Sequence, residues 1–113
     1  MVEWPTRTTA SGAVVIRPEG RLDMMSARDF REQLHAIVKG GDTRVIVDLS
    51  GLDAIDSSGL GALISGLKAA RQGGGDLRVS GAGEQVQAVL ELTNLNRVLK
   101  AHESADTAFD EPV

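Results

Sequence analysis

Cysteine and an excess of basic charge are both missing from this 113-residue chain, and each absence excludes a class of function. Without Cys there is no disulfide, no thiolate chemistry and no sulfur-ligated metal, which agrees with a reducing compartment. The 12 Lys and Arg residues against 16 Asp and Glu give a formal net charge of −4. Because nucleic-acid binding calls for a basic patch or stripe, we expect no nucleic-acid partner.

Long apolar runs are absent as well. The longest stretch without a charge, Ser57 to Leu67, has 11 residues, whereas a membrane-spanning helix needs about 20 apolar ones. Met1–Pro5 lacks the basic and apolar regions of a signal peptide. We therefore predict a cytoplasmic protein with no membrane contact. The 42% hydrophobic content suffices for one core, so we expect a single domain over 1–113, folded at about 6–109.

The sequence also lacks the motifs of common catalytic and nucleotide-binding sites. A nucleophile elbow requires G-x-S-x-G, and no Gly lies two residues before Ser58. The histidines are His35 and His102, and neither belongs to a recognisable His–carboxylate pair that would activate a serine. No P-loop is present, and Gly81–Glu84 stops short of G-x-G-x-x-G. We predict that the chain is not an enzyme and that it has no cofactor or metal site.

Apolar strands alternate with amphipathic helices, which predicts an α/β fold in which helices cover a sheet. The predicted strands are Thr6–Ala10, Ala13–Arg17, Thr43–Leu49, Asp76–Ser80 and Val98–Ala101. The predicted helices are about Ala27–Val38, Ser57–Gln72 and Glu84–Leu92, with a short tail helix at about Ser104–Phe109. Because the strand Thr43–Leu49 is apolar without alternation, we expect it to be buried on both faces.

The helix predicted at Ser57–Gln72 has two different faces. Its core stripe has the spacing i, i+3, i+4 and i+7 and consists of Leu60, Leu63, Ile64 and Leu67. The opposite face lies below Ser58 and consists of small residues, namely Gly61, Ala62, Ser65 and Ala69. A solvated face normally carries better helix formers, so we interpret this one as a flat surface on which a partner docks. The alternative is that another element packs there, and the last helix is the only candidate.

Asp56-Ser57-Ser58-Gly59-Leu60-Gly61 stands at the start of this helix. Backbone N–H groups lack intrahelical partners there, and the helix dipole favours negative charge. The plainest interpretation is that Asp56 or Ser57 caps the helix. Phosphorylation of a serine at this position would add about −1.5 to −2 charge and three acceptor oxygens. The fold should survive, while a docking partner would meet bulk and charge, so the arrangement predicts a reversible block on binding.

Three segments of the sequence carry a shared pattern: Gly20–Asp23, Val45–Leu49 followed by Asp56–Gly61, and Leu92–Leu99. They resemble the STAS-domain family, specifically the bacterial anti-anti-sigma factors, also called anti-sigma factor antagonists. The third departs from the family's L-T-G-L-x-x-x-F, because Asn94 replaces the Gly and Leu99 replaces the Phe. The resemblance implies a single STAS domain with a central mixed sheet of four or five strands and helices packed mainly on one side.

The resemblance also implies a partner switch. An anti-sigma factor serine kinase of the histidine-kinase-like ATPase type phosphorylates the second Ser of the motif, here Ser58, and a PP2C-type serine phosphatase removes the phosphate. The unmodified antagonist sequesters the kinase and frees the sigma factor. Nucleotide and Mg²⁺ belong to the kinase. Where relatives often carry His and a hydroxyl residue, this chain has Met24 and Met25, whose adaptable side chains suit a docking surface.

The predicted partner-binding residues combine the docking loop, the motif and the small-residue face. They are Asp23, Met24, Met25, Asp56, Ser57, Ser58, Gly59, Gly61, Ala62, Ser65 and Ala69. Other functions within the family stay open, including a scaffold of a sensor complex, a regulatory subunit of a lipid transporter and a partner switch that acts without a sigma factor.

Overall fold

The computed structural model describes residues 3–99, 101–102 and 105. The strands are β1 Thr6–Thr8, β2 Val14–Ile16, β3 Gly20–Leu22, β4 Arg44–Asp48, β5 Leu52–Ile55, β6 Asp76–Ser80 and β7 Ala101–His102. The helices are α1 Ala27–Lys39, α2 Ser57–Gln72 and α3 Glu84–Leu92. Short 3₁₀ turns occupy Leu49–Gly51 and Leu95–Arg97. The tail helix predicted at Ser104–Phe109 lies, except for Ala105, outside the described residues.

The main sheet is mixed, as predicted, and has five strands in the order β1-β2-β4-β6-β7. β1 is antiparallel to β2, and the other neighbours are parallel. Val45, Ile46 and Val47 of β4 are at most 1% exposed, because β4 lies between two strands and is covered on both faces. The prediction that this strand is buried on both faces is confirmed.

The described helices pack on one face of the main sheet. Phe30 of α1, Leu63 of α2 and Leu90 of α3 belong to one core cluster together with Val45 and Val47. The opposite face carries a smaller cluster, which consists of Ala13, Val15, Ile46 and Ala105. Side chains of successive strand residues point to opposite faces, which explains why Ile46 lies in the second cluster between two residues of the first. The predicted arrangement of helices on one side of the sheet is confirmed.

The strands β3 and β5 form a separate two-stranded parallel sheet that the sequence analysis did not predict. Both strands are short, and β3 begins at Gly20, whose φ of +78° is a conformation that favours glycine. Such short strands carry little local signal, and their pairing joins segments about 30 residues apart. Because parallel strands end at the same edge, this sheet brings the loop after Leu22 next to the start of α2.

Helices α1 and α2 lie side by side, and α1 covers part of the small-residue face of α2. A Cβ at Gly66 would lie 2.7 Å from Leu34 Cδ1, so the two helices approach closely there. His35 Nε2 and Ser65 Oγ are hydrogen-bonded at 2.7 Å, and Ala62 is only 3% exposed. The expectation that only the last helix could cover this face is therefore wrong.

The segment after α3 explains the two departures from the family pattern. Asn94 has φ 60° and ψ 14°, a left-handed conformation that Gly adopts freely and Asn tolerates better than most residues. Leu99 is fully buried in the main core cluster, where it fills a core position. The strand predicted at Val98–Ala101 starts later, because Val98 ends a 3₁₀ turn and β7 begins at Ala101. No helix in the described part of the chain is long and apolar enough to cross a membrane.

Candidate functional site

Asp56 is the N-cap of α2. Its Oδ1 accepts hydrogen bonds from the backbone N–H of Ser58 at 2.9 Å and of Gly59 at 3.1 Å. Two N–H groups that a helix start leaves without partners are thereby satisfied. Ser57 and Ser58 follow directly and are both exposed. Capping is thus the task of Asp56, and both serine side chains face the surface.

Gly59 is buried where the start of α2 meets the end of β3. A Cβ at Gly59 would overlap the carbonyl oxygen of Leu22 and would lie 2.8 Å from Ile55 Cγ1. The same Leu22 carbonyl accepts a hydrogen bond from the N–H of Asp56 at 3.1 Å. Only glycine permits this approach. Predicted as a partner-binding residue, Gly59 offers a partner almost no surface, and its contribution is to the packing that positions its neighbours.

The loop after β3 presents two exposed methionines. Asp23 Oδ1 accepts a hydrogen bond from the N–H of Met25 at 3.0 Å. Ser26 Oγ accepts from the N–H of Asp23 at 3.1 Å and donates to the carbonyl of Arg21 at 2.9 Å. These bonds hold the loop in one turn, from which Met24 and Met25 project with exposures of 73% and 85%. Met24 and Met25 thus form a small exposed apolar surface on a turn that hydrogen bonds hold in place.

Two grooves, each of about 370 Å³, flank the site. The first, which we call the serine groove, runs between the starts of α1 and α2 and is lined chiefly by Met24, Arg28, Arg31, Ser58, Gly61 and Ala62. The second lies between the small sheet and α3, and its polar lining includes Arg21, Asp23, Asp56 and Gln85. The exposed Ser58 hydroxyl therefore stands at a concave surface that is built from two helices.

The structure brings most of the predicted site residues together but not all on one exposed face. Around the serine groove and the adjoining loop, the exposed or half-exposed ones are Asp23, Met24, Met25, Asp56, Ser57, Ser58 and Gly61. Ala62 lies at the groove but is buried, so its expected place on an open face is wrong. Ser65 is half-buried and bonded to His35, and Ala69 is half-buried further along α2.

Arg28 and Arg31 were missed by the sequence analysis. Both belong to the polar side of α1, and charged residues are common on the solvent-facing side of any helix. They line the serine groove because α1 packs beside α2. The periodicity of a helix does not predict which other helix packs beside it. Across the described residues, no group of three or more His, Asp or Glu side chains is arranged to hold a metal ion.

Two curated relatives match most of this chain. A Thermotoga maritima protein named as an anti-sigma factor antagonist is 29% identical over 99 residues, which cover 87% of this chain and 88% of that protein. The anti-sigma-B factor antagonist of Staphylococcus aureus is 25% identical over 99 residues, which cover 88% of this chain and 92% of that protein.

Solved structures share the fold of this chain, and a protein-family model matches most of its sequence. The crystal structure of the Thermotoga maritima protein superimposes with a TM-score of 0.87 at 27% identity, covering 95% of this chain and 92% of that one. The anti-sigma factor antagonist SpoIIAA in its unphosphorylated form gives a TM-score of 0.79 at 21% identity, covering 95% and 93%, and shows the fold alone. The model of the STAS domain matches residues 5–108. The chain therefore belongs to the STAS domain family.

Proposed function

We propose that this chain is an anti-sigma factor antagonist and the switchable member of a partner switch in the cytoplasm. The observation that carries the proposal is the position of Ser58, exposed in the first turn of α2 beside the serine groove and the exposed methionines. The names of the Thermotoga and Staphylococcus relatives support it. The chain acts by binding and has no catalytic activity of its own.

The unmodified form binds an anti-sigma factor serine kinase of the histidine-kinase-like ATPase type and thereby releases the sigma factor. Met24 and Met25 supply apolar contact area, and Met side chains adapt to irregular surfaces. Asp23 and Asp56 place two carboxylates beside them, which favours a cationic patch on the kinase. The half-buried Ser65 and Ala69 lie further along α2, beyond the groove. They belong to the contact if the kinase covers more than the first two turns of α2.

Phosphorylation of Ser58 ends this complex. The γ-phosphoryl group of ATP bound to the kinase is transferred to Ser58 Oγ, ADP leaves, and the kinase takes up the hydroxyl proton. A PP2C-type phosphatase hydrolyses the phosphoester and restores the hydroxyl. A related precedent is SpoIIAA, which is described in both an unphosphorylated and a phosphorylated form.

The phosphate acts at the surface and leaves the fold intact. It adds about −1.5 to −2 charge, and a charge that the interface buries without a partner on the kinase costs about 3–5 kcal/mol. Ser58 is exposed and Asp56 provides the helix cap, so the modification removes no contact that the domain needs. Phosphorylation is thus expected to weaken kinase binding without lowering the thermal midpoint of the domain.

Phosphorylation mapping with a cognate kinase tests the proposal. Incubation with the kinase, ATP and Mg²⁺ should add one phosphate to the wild-type chain and to Ser57→Ala, and none to Ser58→Ala, as measured by intact-protein mass spectrometry. Ser57 is the matched control because it is also exposed, one residue earlier in the chain. Stoichiometric labelling of Ser58→Ala would refute the assignment.

A pulldown from the source cell identifies the pathway. Wild-type chain should retain a kinase of this type, and Ser58→Asp should retain less of it, with a smaller effect than the phosphate because Asp adds a single charge. Retention of a transporter or a sensor complex, with no difference between the two baits, would favour the scaffold or regulatory-subunit role instead.

A further inference from the structure

Two arginines of α1 share the serine groove with Ser58. Arg28 and Arg31 are the only charged side chains among the residues that line it, although the whole chain carries a formal net charge of −4. They are three residues apart on a helix, a spacing that places side chains on the same face. The groove beside the proposed phosphorylation site is thus a local concentration of positive charge on an acidic protein.

Two backbone donors at the start of α2 are already occupied. Asp56 Oδ1 already accepts the N–H groups of Ser58 and Gly59, which are donors that an anion at a helix N-terminus normally uses. The Asp56 carboxylate also repels a second anion at close range. A phosphate on Ser58 therefore gains more from positive partners outside this turn, and the groove that Ser58 itself lines is the serine groove.

Both arginines are free to turn toward such a group. Arg28 Nε lies 3.4 Å from Glu32 Oε1, and the side chains of this pair are 82% and 49% exposed, so the interaction is weak and easily exchanged. Arg31 is exposed and forms no ion pair with any residue that the structure describes. A guanidinium presents a planar fork of donors that fits phosphate oxygens in a bidentate manner.

We propose that the phosphate on Ser58 is bound within the same chain by Arg28 and Arg31, an inference that rests on the proposed phosphorylation of Ser58. The bound phosphate fills the serine groove and occupies its two cations. The kinase then loses the concave surface as well as meeting negative charge. The phosphorylated chain is an ordered second state, in which α1 and the first turn of α2 are joined by ion pairs.

Titration of the phosphate by ³¹P NMR tests this proposal without any kinase. Phosphoserine is incorporated at position 58 during translation by an expanded genetic code, in the wild-type chain and in the double variant Arg28→Gln/Arg31→Gln. The second pKa of phosphoserine is ordinarily about 6. Nearby cations favour the dianion, so the wild-type phosphate should titrate about 0.5 pH unit or more below that of the double variant.

Two matched controls distinguish direct binding of the phosphate by the two arginines from a general effect of net charge on the phosphate pKa. Arg97→Gln removes one positive charge from the 3₁₀ turn after α3 and should leave the titration of the phosphate unchanged. Phosphoserine at position 57, in the same turn but outside the groove lining, should titrate alike in the wild-type chain and in the double variant. Circular dichroism of each variant verifies that the fold is retained.

Three results would overturn the proposal. The first is an equal pKa of phosphoserine 58 with and without the two arginines, and the second is an equal pKa shift caused by Arg97→Gln. The third is loss of kinase binding by the unphosphorylated double variant with no change in the phosphate pKa, which would mean that the arginines contact the partner instead. Failure of every candidate kinase to label Ser58 is a different result. It would reject the proposed function and leave the measured titration in place.

Discussion

The backbone of Gly59 lies against the carbonyl oxygen of Leu22 with no room for a side chain between them. The N–H of Asp56 donates to the same carbonyl, so the last residue of β3 is attached to the start of α2 at two neighbouring points. The loop that carries Met24 and Met25, which we call the methionine loop, is therefore joined directly to the segment Asp56–Gly61. A partner that contacts both meets a surface whose shape is set before binding, which reduces the ordering cost of association.

Replacing Gly59 with Ala is expected to destabilise the domain by about 1–3 kcal/mol, because the added methyl group overpacks a buried site. Urea denaturation measures the change. Gly61→Ala is the matched control two residues further on, where an added Cβ meets nothing within 4 Å. That variant should gain about 0.5–1 kcal/mol from improved helix propensity. Equal effects of the two substitutions would contradict the close approach described at Gly59.

Asp56 is expected to stabilise α2 through its cap and to contact the kinase through its charge. Asp56→Ala should lower the free energy of unfolding by about 0.5–2 kcal/mol, whereas Asp56→Asn should retain most of it, because Asn is an equally good N-cap. Thermal and urea melts of both variants measure the stability. If Asp56→Asn keeps its stability but loses kinase affinity in calorimetric titration, the charge acts in docking. If both variants lose the same stability, the capping assignment is wrong.

Met24 and Met25 should matter for binding and hardly at all for folding. Changing both to Ser is expected to leave the free energy of unfolding within about 0.5 kcal/mol, as is usual for exposed positions. Kinase affinity should fall at least tenfold, which corresponds to about 1.4 kcal/mol. Leu92→Ser, at a side chain that is 84% exposed at the end of α3, is the control for a general loss of exposed apolar area. An equal loss with Leu92→Ser would remove the methionine loop from the interface.

Ala62 and Leu63 should both be intolerant of change, although they lie on different sides of α2. Ala62 is 3% exposed between α1 and α2, so Ala62→Arg should cost about 1–3 kcal/mol through overpacking. Leu63 is fully buried, and Leu63→Ala should cost about 2–5 kcal/mol through the cavity it leaves. A urea melt of Ala62→Arg that matched the wild type would mean that α1 does not cover this face in solution.

The helices and strands that the sequence marks by a cap, a stop or an apolar run were predictable from the sequence. The helix α2 runs from Ser57 to Gln72 as predicted, because Asp56 supplies the cap and Gly73–Gly75 supplies the stop. The central strand was clear from its unbroken apolar run. By contrast, β3 and β5 are short, and their pairing is a long-range contact without a periodic pattern of its own.

Within the candidate site, the segment Asp56–Gly61 was predictable from the sequence, whereas the residues that surround it were not. Helical spacing shows which residues share a face, but it does not show which element packs against that face. For this reason Ala62 was expected on an open surface, and Arg28 and Arg31 were not associated with Ser58. The placement of α1 beside α2 supplies both corrections, and it depends on how the core residues Phe30 and Leu34 pack rather than on any surface residue.

The two-stranded sheet has a consequence for how such domains diversify. It places the loop after Leu22 beside the start of α2, while the exposed side chains proposed to contact a partner, Met24 and Met25, lie outside the core cluster. On the proposed function, substitutions at Met24 or Met25 are expected to alter recognition at little cost to stability. We therefore expect that duplicated copies of such a domain can diverge toward separate partners through a few changes at these exposed positions.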